Sequence, residues 1–285
     1  MDIVASYQDK LDVYGYVPID HDEPNFFPVA LQDIFDGSGN TIEGSKRLVR
    51  TDTNETLKVH SDGYGLISYE DSFAKFDEEL NRSGLNVEGM VVATDMSHNG
   101  SRCFRQYVLP KHSIDLPTGG SLALRFLMFN SYDGSTKFRG RAGGYSFVCA
   151  NTCVLGTDII NIGVKHTKNA GLQIEGVIEQ VVASADQFIT WGPKFEEWAE
   201  TRPSRSEVYH VLTQLPFSVN HIDAIFRSWV LDEADSLLGV YNAITSWSTF
   251  NSTGVNKASA RADREARVAT LIEGNVWNNA VGGVF

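Results

Sequence analysis

The chain has 285 residues, a length that suits one large or two modest domains. Of these residues 42% are hydrophobic and 21% are charged, which is the composition of a globular protein. No apolar run reaches the roughly 18 residues that cross a bilayer, and the first residues show neither a basic leader nor an apolar core. We therefore expect an intracellular, cytoplasmic protein with no membrane partner. The three cysteines, an odd and small number, argue against a disulfide framework.

The charge is distributed unevenly along the chain, although the total is −12. Residues 1–96 carry 7 Lys/Arg and 19 Asp/Glu, a net −12, and residues 171–285 carry 8 and 14, a net −6. Residues 97–170 carry nine Lys/Arg and three Asp, a net +6. A basic island between acidic flanks favours a surface that faces a polyanion.

The first 45 residues are rich in acids, proline and glycine, and we predict an irregular acidic N-terminal arm with one short helix near Pro28–Phe35. Asp20, Asp22 and Glu23 could bind a divalent cation in principle. An acidic loop before a proline is more often simply solvated, so we predict no metal there.

Residues 46–170 read as a β-rich core that contains the basic island. Short strand-like runs alternate with turn signals, among them Thr53–Asn54 between two runs that suit a hairpin. One helix is inserted, because Phe73, Phe76 and Leu80 recur at helical spacing before Gly84.

Residues 171–285 read as a helical C-terminal region, with Pro193 breaking the first helical run or starting a second. Strands followed by helices predict an α+β fold with a central antiparallel region, in contrast to the βαβ alternation of a doubly wound sheet.

Motifs of catalysis or cofactor binding are absent from the sequence: no P-loop, dinucleotide fingerprint, nucleophile elbow or zinc-hydrolase motif occurs. Cys149 and Cys153 are four residues apart and lack the partners of a zinc site, so Cys149 is better read as a small buried hydrophobe. We expect no cofactor, no metal and no catalytic residue. An enzyme is the less favoured class because no such motif occurs, although a catalytic site assembled from distant residues stays open.

The stretch 129–156 offers the best match to binding chemistry. Lys137, Arg139 and Arg141 alternate, so an extended chain places them on one face, with Phe138 and Gly140 on the other. The residues predicted to contact phosphate are Lys137, Arg139, Arg141, Arg125, Arg105, Lys165 and Lys168. The residues predicted to stack on bases are Tyr132, Phe138 and Tyr145. The alternative is an exposed hairpin with a solvated basic face.

Four stretches together carry a resemblance to a known family. They are FNSYDGSTKFRGRAGGYSFVCANTCVLG at 129–156, RLVRTDTNETLKVHSDGYGLISYED at 47–71, VKHT at 164–167, and LLGVYNAITSWSTFNSTG at 237–254. From about residue 46 onward the chain resembles the phage and plasmid-like proteins, a prokaryotic domain-of-unknown-function family of phages, prophages and plasmids. The resemblance implies a viral protein of the host cytoplasm. By fold-level analogy, strands around an inserted helix are similar to those of single-strand annealing proteins, which assemble as oligomers and hold DNA in a basic groove.

Three functions follow as hypotheses. The first is a phage-encoded single-stranded DNA-binding or annealing protein of recombination or replication, working as a homo-oligomer. The second is an acidic interaction protein that binds a host protein, or mimics DNA with residues 1–96. The third is a metal-dependent enzyme with a dispersed site, around Asp20, Asp22 and Glu23.

Overall fold

A computed structural model describes residues 26–117, 119–146, 152–154, 163–231, 235–250, 257–272, 274–275 and 277–278. The acidic residues 20–23, for which a cation site was the less favoured interpretation, and Cys149 lie outside these residues. Two antiparallel sheets precede a set of helices, which confirms the predicted α+β order. Within the described residues, no helix is both long enough and apolar enough to span a membrane.

The smaller sheet is antiparallel with the order β1-β2-β3. Its strands are β1 (Val29–Phe35), β2 (Thr41–Arg50) and β3 (Thr56–Ser61). The hairpin predicted around Thr53–Asn54 is confirmed, and Asn54 takes the left-handed conformation, with φ 58°, that asparagine tolerates in turns. The helix predicted over Pro28–Phe35 is wrong. That segment pairs along β2 with Leu31 opposite Leu48, so pairing with a distant strand decides its conformation.

The inserted helix α1 (Tyr69–Arg82) confirms the prediction from apolar spacing. Ser68 caps it by accepting a hydrogen bond from the Asp71 backbone N–H. Its face of Phe73, Phe76 and Leu80 is buried, and the Phe76 ring centroid lies 4.7 Å from that of Tyr107 in the larger sheet. Burial of these apolar rings fastens the helix to one face of the sheet.

The larger sheet runs in the order β4-β5-β6-β7-β8, and β9 pairs with the other end of β7. Its strands are β4 (Val91–Ser97), β5 (Arg102–Asp115), β6 (Ser121–Ser131), β7 (Phe138–Ser146), β8 (Thr152–Val154) and β9 (Gly163–Val164). Residues 122–131 of β6 are all buried. Burial of successive residues on a strand means that both faces of the sheet are covered.

The described C-terminal part is helical, as predicted. Its helices are α2 (Ile174–Ala183), α3 (Ala185–Ile189), α4 (Gly192–Glu200), α5 (Arg205–Gln214), α6 (Val219–Leu231), α7 (Leu237–Phe250) and α8 (Lys257–Ile272). Pro193 lies in the first turn of α4, where a missing N–H costs nothing. Helix α2 packs on the same face of the larger sheet as α1, and α8 packs on the opposite face.

Candidate nucleic-acid interface

The arginines of the basic island lie mainly inside the protein. Arg125 on β6 is 3% exposed, and its Nη1 lies 3.0 Å from the Oε2 of Glu265 on α8, which is 1% exposed. The Nε of Arg125 donates a hydrogen bond to Gln106 on β5. Arg125 therefore neutralises a buried carboxylate and joins a helix to the sheet, and we remove it from the predicted phosphate contacts.

Arg139 and Arg141 share one face of β7, as their alternation predicts. Their guanidinium carbons lie 4.6 Å and 5.3 Å from the ring centroid of Phe129 on β6. Gly140 between them faces the opposite way, toward Val181 of α2. The expectation that this arginine face is open is wrong for Arg141, which is 4% exposed, while Arg139 is only partly exposed.

The aromatic residues predicted to stack on bases are buried as well. Tyr132, Phe138 and Tyr145 are 1%, 0% and 2% exposed. The Tyr132 ring stacks on that of Tyr69 at 3.8 Å, and its hydroxyl accepts a hydrogen bond from the Tyr69 backbone N–H. These rings hold the core together, so the expectation that they face a bound strand is wrong for the folded chain.

Arg105 on β5 occupies the opposite face of the sheet from Arg125. Its side chain is 11% exposed and lies 3.6 Å from the Asp77 carboxylate of α1. Its guanidinium carbon also lies 5.3 Å from the centroid of the Tyr107 ring. Burial raises the pKa of Asp77, and the charge of Arg105 opposes that rise. We therefore assign Arg105 a structural role between helix and sheet.

The predicted lysines are exposed and lie close together in the fold. The pairing of Phe138 with Val164 places Lys137 and Lys165 at neighbouring positions at the end of β7 and β9. Lys168 follows in the segment that packs against Gly65. Lys58, which the sequence did not single out, is exposed on β3 two residues before His60. We call Lys58, Lys137, Lys165 and Lys168 the lysine cluster. None of these lysines forms an ion pair with a carboxylate of the described residues.

Three rings stack beside these lysines. The Tyr64 ring lies between His60 and His166, with centroid distances of 3.7 Å and 5.3 Å and interplanar angles of 12° and 5°. The Nε2 of His60 lies 2.7 Å from the Tyr132 carbonyl oxygen, and the Gly65 N–H donates to the His166 carbonyl. Both histidines are partly exposed, whereas Tyr64 is 9% exposed. We call this arrangement the ring stack.

Three of the stretches that carry the family resemblance meet at the ring stack. His60 and Tyr64 belong to 47–71, Tyr132 to 129–156, and His166 to 164–167. The sequence could not show that these rings lie together, because they are up to about a hundred positions apart and have no ligand spacing. The only signal was that each stretch resembles the same family.

A comparison with models of known protein families assigns the chain to a family. The model of a domain of unknown function (DUF932) matches residues 56–272. The chain belongs to this family. Comparison with curated proteins and with solved structures gives no significant match. The matched DUF932 range contains the whole lysine cluster and ring stack, whereas β1 and β2 lie entirely before it.

The chemistry of the DUF932 site is that of neutral rings beside positive charges. Burial lowers the pKa of His60, and it lowers the pKa of His166 to about 4, so both rings are uncharged at pH 7. Among the described residues, no group of three His, Cys, Asp or Glu side chains is placed to hold a metal ion. The arrangement places exposed ammonium groups near a stack of rings whose two histidine residues are partly exposed.

Replacing His166 with glutamine is expected to weaken the pH dependence of stability. The folded pKa is about 4 against an ordinary 6.5, so the unfolded chain binds more protons between these values. The free energy of unfolding therefore falls as the pH drops from 6.5 toward 4, and this group has no effect above that window. Urea unfolding of His166→Gln at about pH 7 and about pH 5 measures the change. The same substitution at exposed His210 should keep the wild-type dependence, and equal slopes for both variants would count against burial of His166.

Replacing Gly65 with alanine is expected to displace the segment that carries Lys165, His166 and Lys168. An added Cβ would lie 2.0 Å from the Thr167 carbonyl oxygen, and backbone atoms cannot rotate away as a side chain does. We expect a loss of about 1–3 kcal/mol in the free energy of unfolding, measured in urea. The control is Gly63→Ala, whose Cβ meets nothing nearer than Ser61 Oγ at 3.7 Å. Equal stability of the two variants would refute the close approach.

Proposed function

We propose that this DUF932 protein binds single-stranded DNA through the lysine cluster and the ring stack, and anneals complementary strands in recombination or replication. The observation that carries the proposal is that exposed lysines, which form no ion pair with a described carboxylate, lie near the ring stack in a chain whose net charge is −12. An acidic protein that keeps one such patch directs a polyanion to that patch.

Each part of the patch has a distinct chemical task. Lysine ammonium groups attract phosphates and release counterions, which gives affinity without sequence preference. Partly exposed His60 and His166 offer ring faces to unpaired bases, and stacking of this kind contributes about 1–3 kcal/mol per base. Only a single strand presents bases with free faces, so the pairing of lysines with rings favours a single strand over a duplex.

An oligomer fits this proposal better than a monomer. The lysine cluster of one copy spans a few phosphates, so we expect firm binding of a long strand to require several copies side by side. The outer strands β1 and β3 end the smaller sheet, and Phe35 and Val59 on them are 61% and 52% exposed. Exposed apolar residues on outer strands suit association between copies. We include a phage or plasmid origin and a cytoplasmic location in the proposal.

The test is a fluorescence-anisotropy titration of a labelled single strand at low salt, followed by an annealing assay with the complementary strand. We expect binding to the single strand, weaker binding to the duplex, and faster annealing in the presence of the protein. Dextran sulfate, a polyanion without bases, should compete less well than unlabelled DNA. Absence of any affinity for DNA at low salt would end the proposal.

A second candidate is an interaction protein, favoured by the hairpin between β1 and β2. Phe35 and Ile42 on it are 61% and 44% exposed, next to the acidic residues Asp36 and Glu43. Exposed apolar residues beside acids suit a basic, apolar patch on a host protein. A pull-down from nuclease-treated host lysate that yields one stoichiometric protein, together with absent DNA affinity, would favour this function.

A further inference from the structure

The strand β1 has one side that no other strand of the described residues covers. It ends the order β1-β2-β3, and none of its residues is buried. Among the residues that the structure describes, no hydrogen bond uses a β1 backbone group on the side that faces away from β2. Such an edge accepts a further strand readily, because its N–H and C=O groups are already aligned for a ladder.

The register with β2 shows which residues of β1 point outward. Pro28 lies opposite Thr51 just before the strand, and its carbonyl accepts a hydrogen bond from the Thr51 N–H at 3.0 Å. Hydrogen-bonded and non-hydrogen-bonded pairs alternate along an antiparallel ladder, and this one is regular as far as Asp33. The backbone groups of Val29, Leu31 and Asp33 therefore point away from β2, to the free edge.

The two outer strands of the smaller sheet differ in how they are protected. A lysine or a proline on an outer strand discourages pairing with another chain. Strand β3 carries Lys58 of the lysine cluster, whereas β1 has neither residue type. The one charged residue of β1 is Asp33, which lies 3.3 Å from the Lys46 ammonium of β2. Strand β1 is therefore the edge that is open to association.

We propose that β1 pairs antiparallel with β1 of a second copy of this chain, around a two-fold axis at Leu31. In this register all three outward-facing residues form hydrogen-bonded pairs, since Leu31 opposes Leu31 and Val29 opposes Asp33. Each Asp33 then meets a valine of the second copy, so no carboxylates face each other. Leu31 already lies opposite Leu48 of β2, and the pairing extends these two into a row of four leucines across the joined sheet.

The pairing leaves the proposed interface accessible. The joined sheet has β3 at both outer edges, about 24 Å apart at a strand spacing of about 4.8 Å. The lysine clusters of the two copies therefore stay exposed. The inference deepens the proposed function, on whose oligomer it rests, by naming one contact between copies, and the pairing itself needs no DNA.

The test is sedimentation velocity of the full chain without DNA, over about a hundredfold range of concentration. We expect a monomer at the low end and a dimer at the high end, because pairing through one short edge is weak. Leu31→Pro removes an outward N–H that the ladder with β2 does not use, so it should give a monomer with wild-type circular dichroism. A wild-type chain that stays monomeric throughout, or a Leu31→Pro variant that dimerises as the wild type does, would overturn the proposal.

The matched control is Val59→Pro on the other outer strand. The Asp62 N–H donates to the Gly44 carbonyl at 3.2 Å, so by the same alternation the Val59 N–H points away from β2. Val59 is 52% exposed, and this variant should dimerise as the wild type does. Loss of the dimer in Val59→Pro, with its retention in Leu31→Pro, would place the contact at β3 and overturn the proposal.

A cysteine pair tests the register without removing a backbone donor. Opposed residues of a hydrogen-bonded pair have Cα atoms about 5.5 Å apart, within reach of a disulfide. On oxidation we expect Leu31→Cys to give a covalent dimer above the wild-type background, whereas Gln32→Cys, which opposes Ala30, should not. Absence of this dimer in Leu31→Cys would contradict the register. Replacing the lysine cluster should leave dimerisation intact, so failure of DNA binding is distinguishable from failure of the pairing.

Discussion

Replacing Glu265 with alanine is expected to lower the free energy of unfolding by about 3–5 kcal/mol. The carboxylate is 1% exposed and lies 3.0 Å from the Arg125 guanidinium, which is itself 3% exposed. Without this carboxylate, the positive charge of Arg125 stays buried and loses its ion-pair partner. The same sheet face also carries the positive charges of Arg139 and Arg141. Urea unfolding measures the loss, and Glu196→Ala on exposed α4 surface should change stability by less than about 0.5 kcal/mol.

A double-mutant cycle separates the ion pair from the packing around it. Replacing Arg125 and Glu265 together with methionine removes both charges and keeps most of the side-chain volume. We expect the double variant to be more stable than Glu265→Met alone, because no uncompensated charge from this pair is left in the core. A Glu265→Ala variant that loses less than about 1 kcal/mol would show that the pair does not hold α8 on the sheet.

Replacing Lys137, Lys165 and Lys168 together with alanine is expected to weaken binding of a single strand about tenfold to hundredfold at low salt. All three side chains are exposed and have no carboxylate partner among the described residues, so their removal costs little stability. The measurement is the anisotropy titration, with circular dichroism and urea unfolding to show that the fold is kept.

The matched control changes the total charge by the same amount at other places. Lys111 is exposed and Lys46 and Lys75 are partly exposed, and the three lysines pair with Glu88, Asp33 and Glu175, respectively. Their joint replacement with alanine should leave DNA affinity within a few-fold of the wild type. Equal losses in the two triple variants would mean that total charge, and not the lysine cluster, sets the affinity.

The basic island shows what a charge count can and cannot predict. The alternation of Arg139 and Arg141 correctly gave a shared face, because strand geometry is local. It could not show that Glu265 of α8 pairs with Arg125 on that sheet face, since Glu265 is over a hundred residues away. A usable signal was the residue type: the flat guanidinium suits buried pairs and ring contacts, whereas the strongly hydrated ammonium of lysine stays in water.

The same difference between local patterns and long-range contacts decides which other parts of the fold were predictable from the sequence. Helix α1 was predictable because Phe73, Phe76 and Leu80 repeat at helical spacing within one segment. The strand at Val29–Phe35 was not, because its conformation depends on pairing with β2. The ring stack depends on contacts among β3, the loop after it and residues 164–167, and no local pattern records such contacts.

The salt dependence of binding tests the central claim, that the lysine cluster contacts the phosphates of a single strand, most directly. For single strands, the slope of log K against log salt is about −0.7 for each neutralised phosphate. Loss of three contacting lysines should therefore flatten the slope by about 2, whereas the control triple variant should keep the wild-type slope. A flattening of this size, confined to K137A/K165A/K168A, is the result we predict. An unchanged slope in that variant would contradict the account, because it would mean that these lysines do not touch the strand.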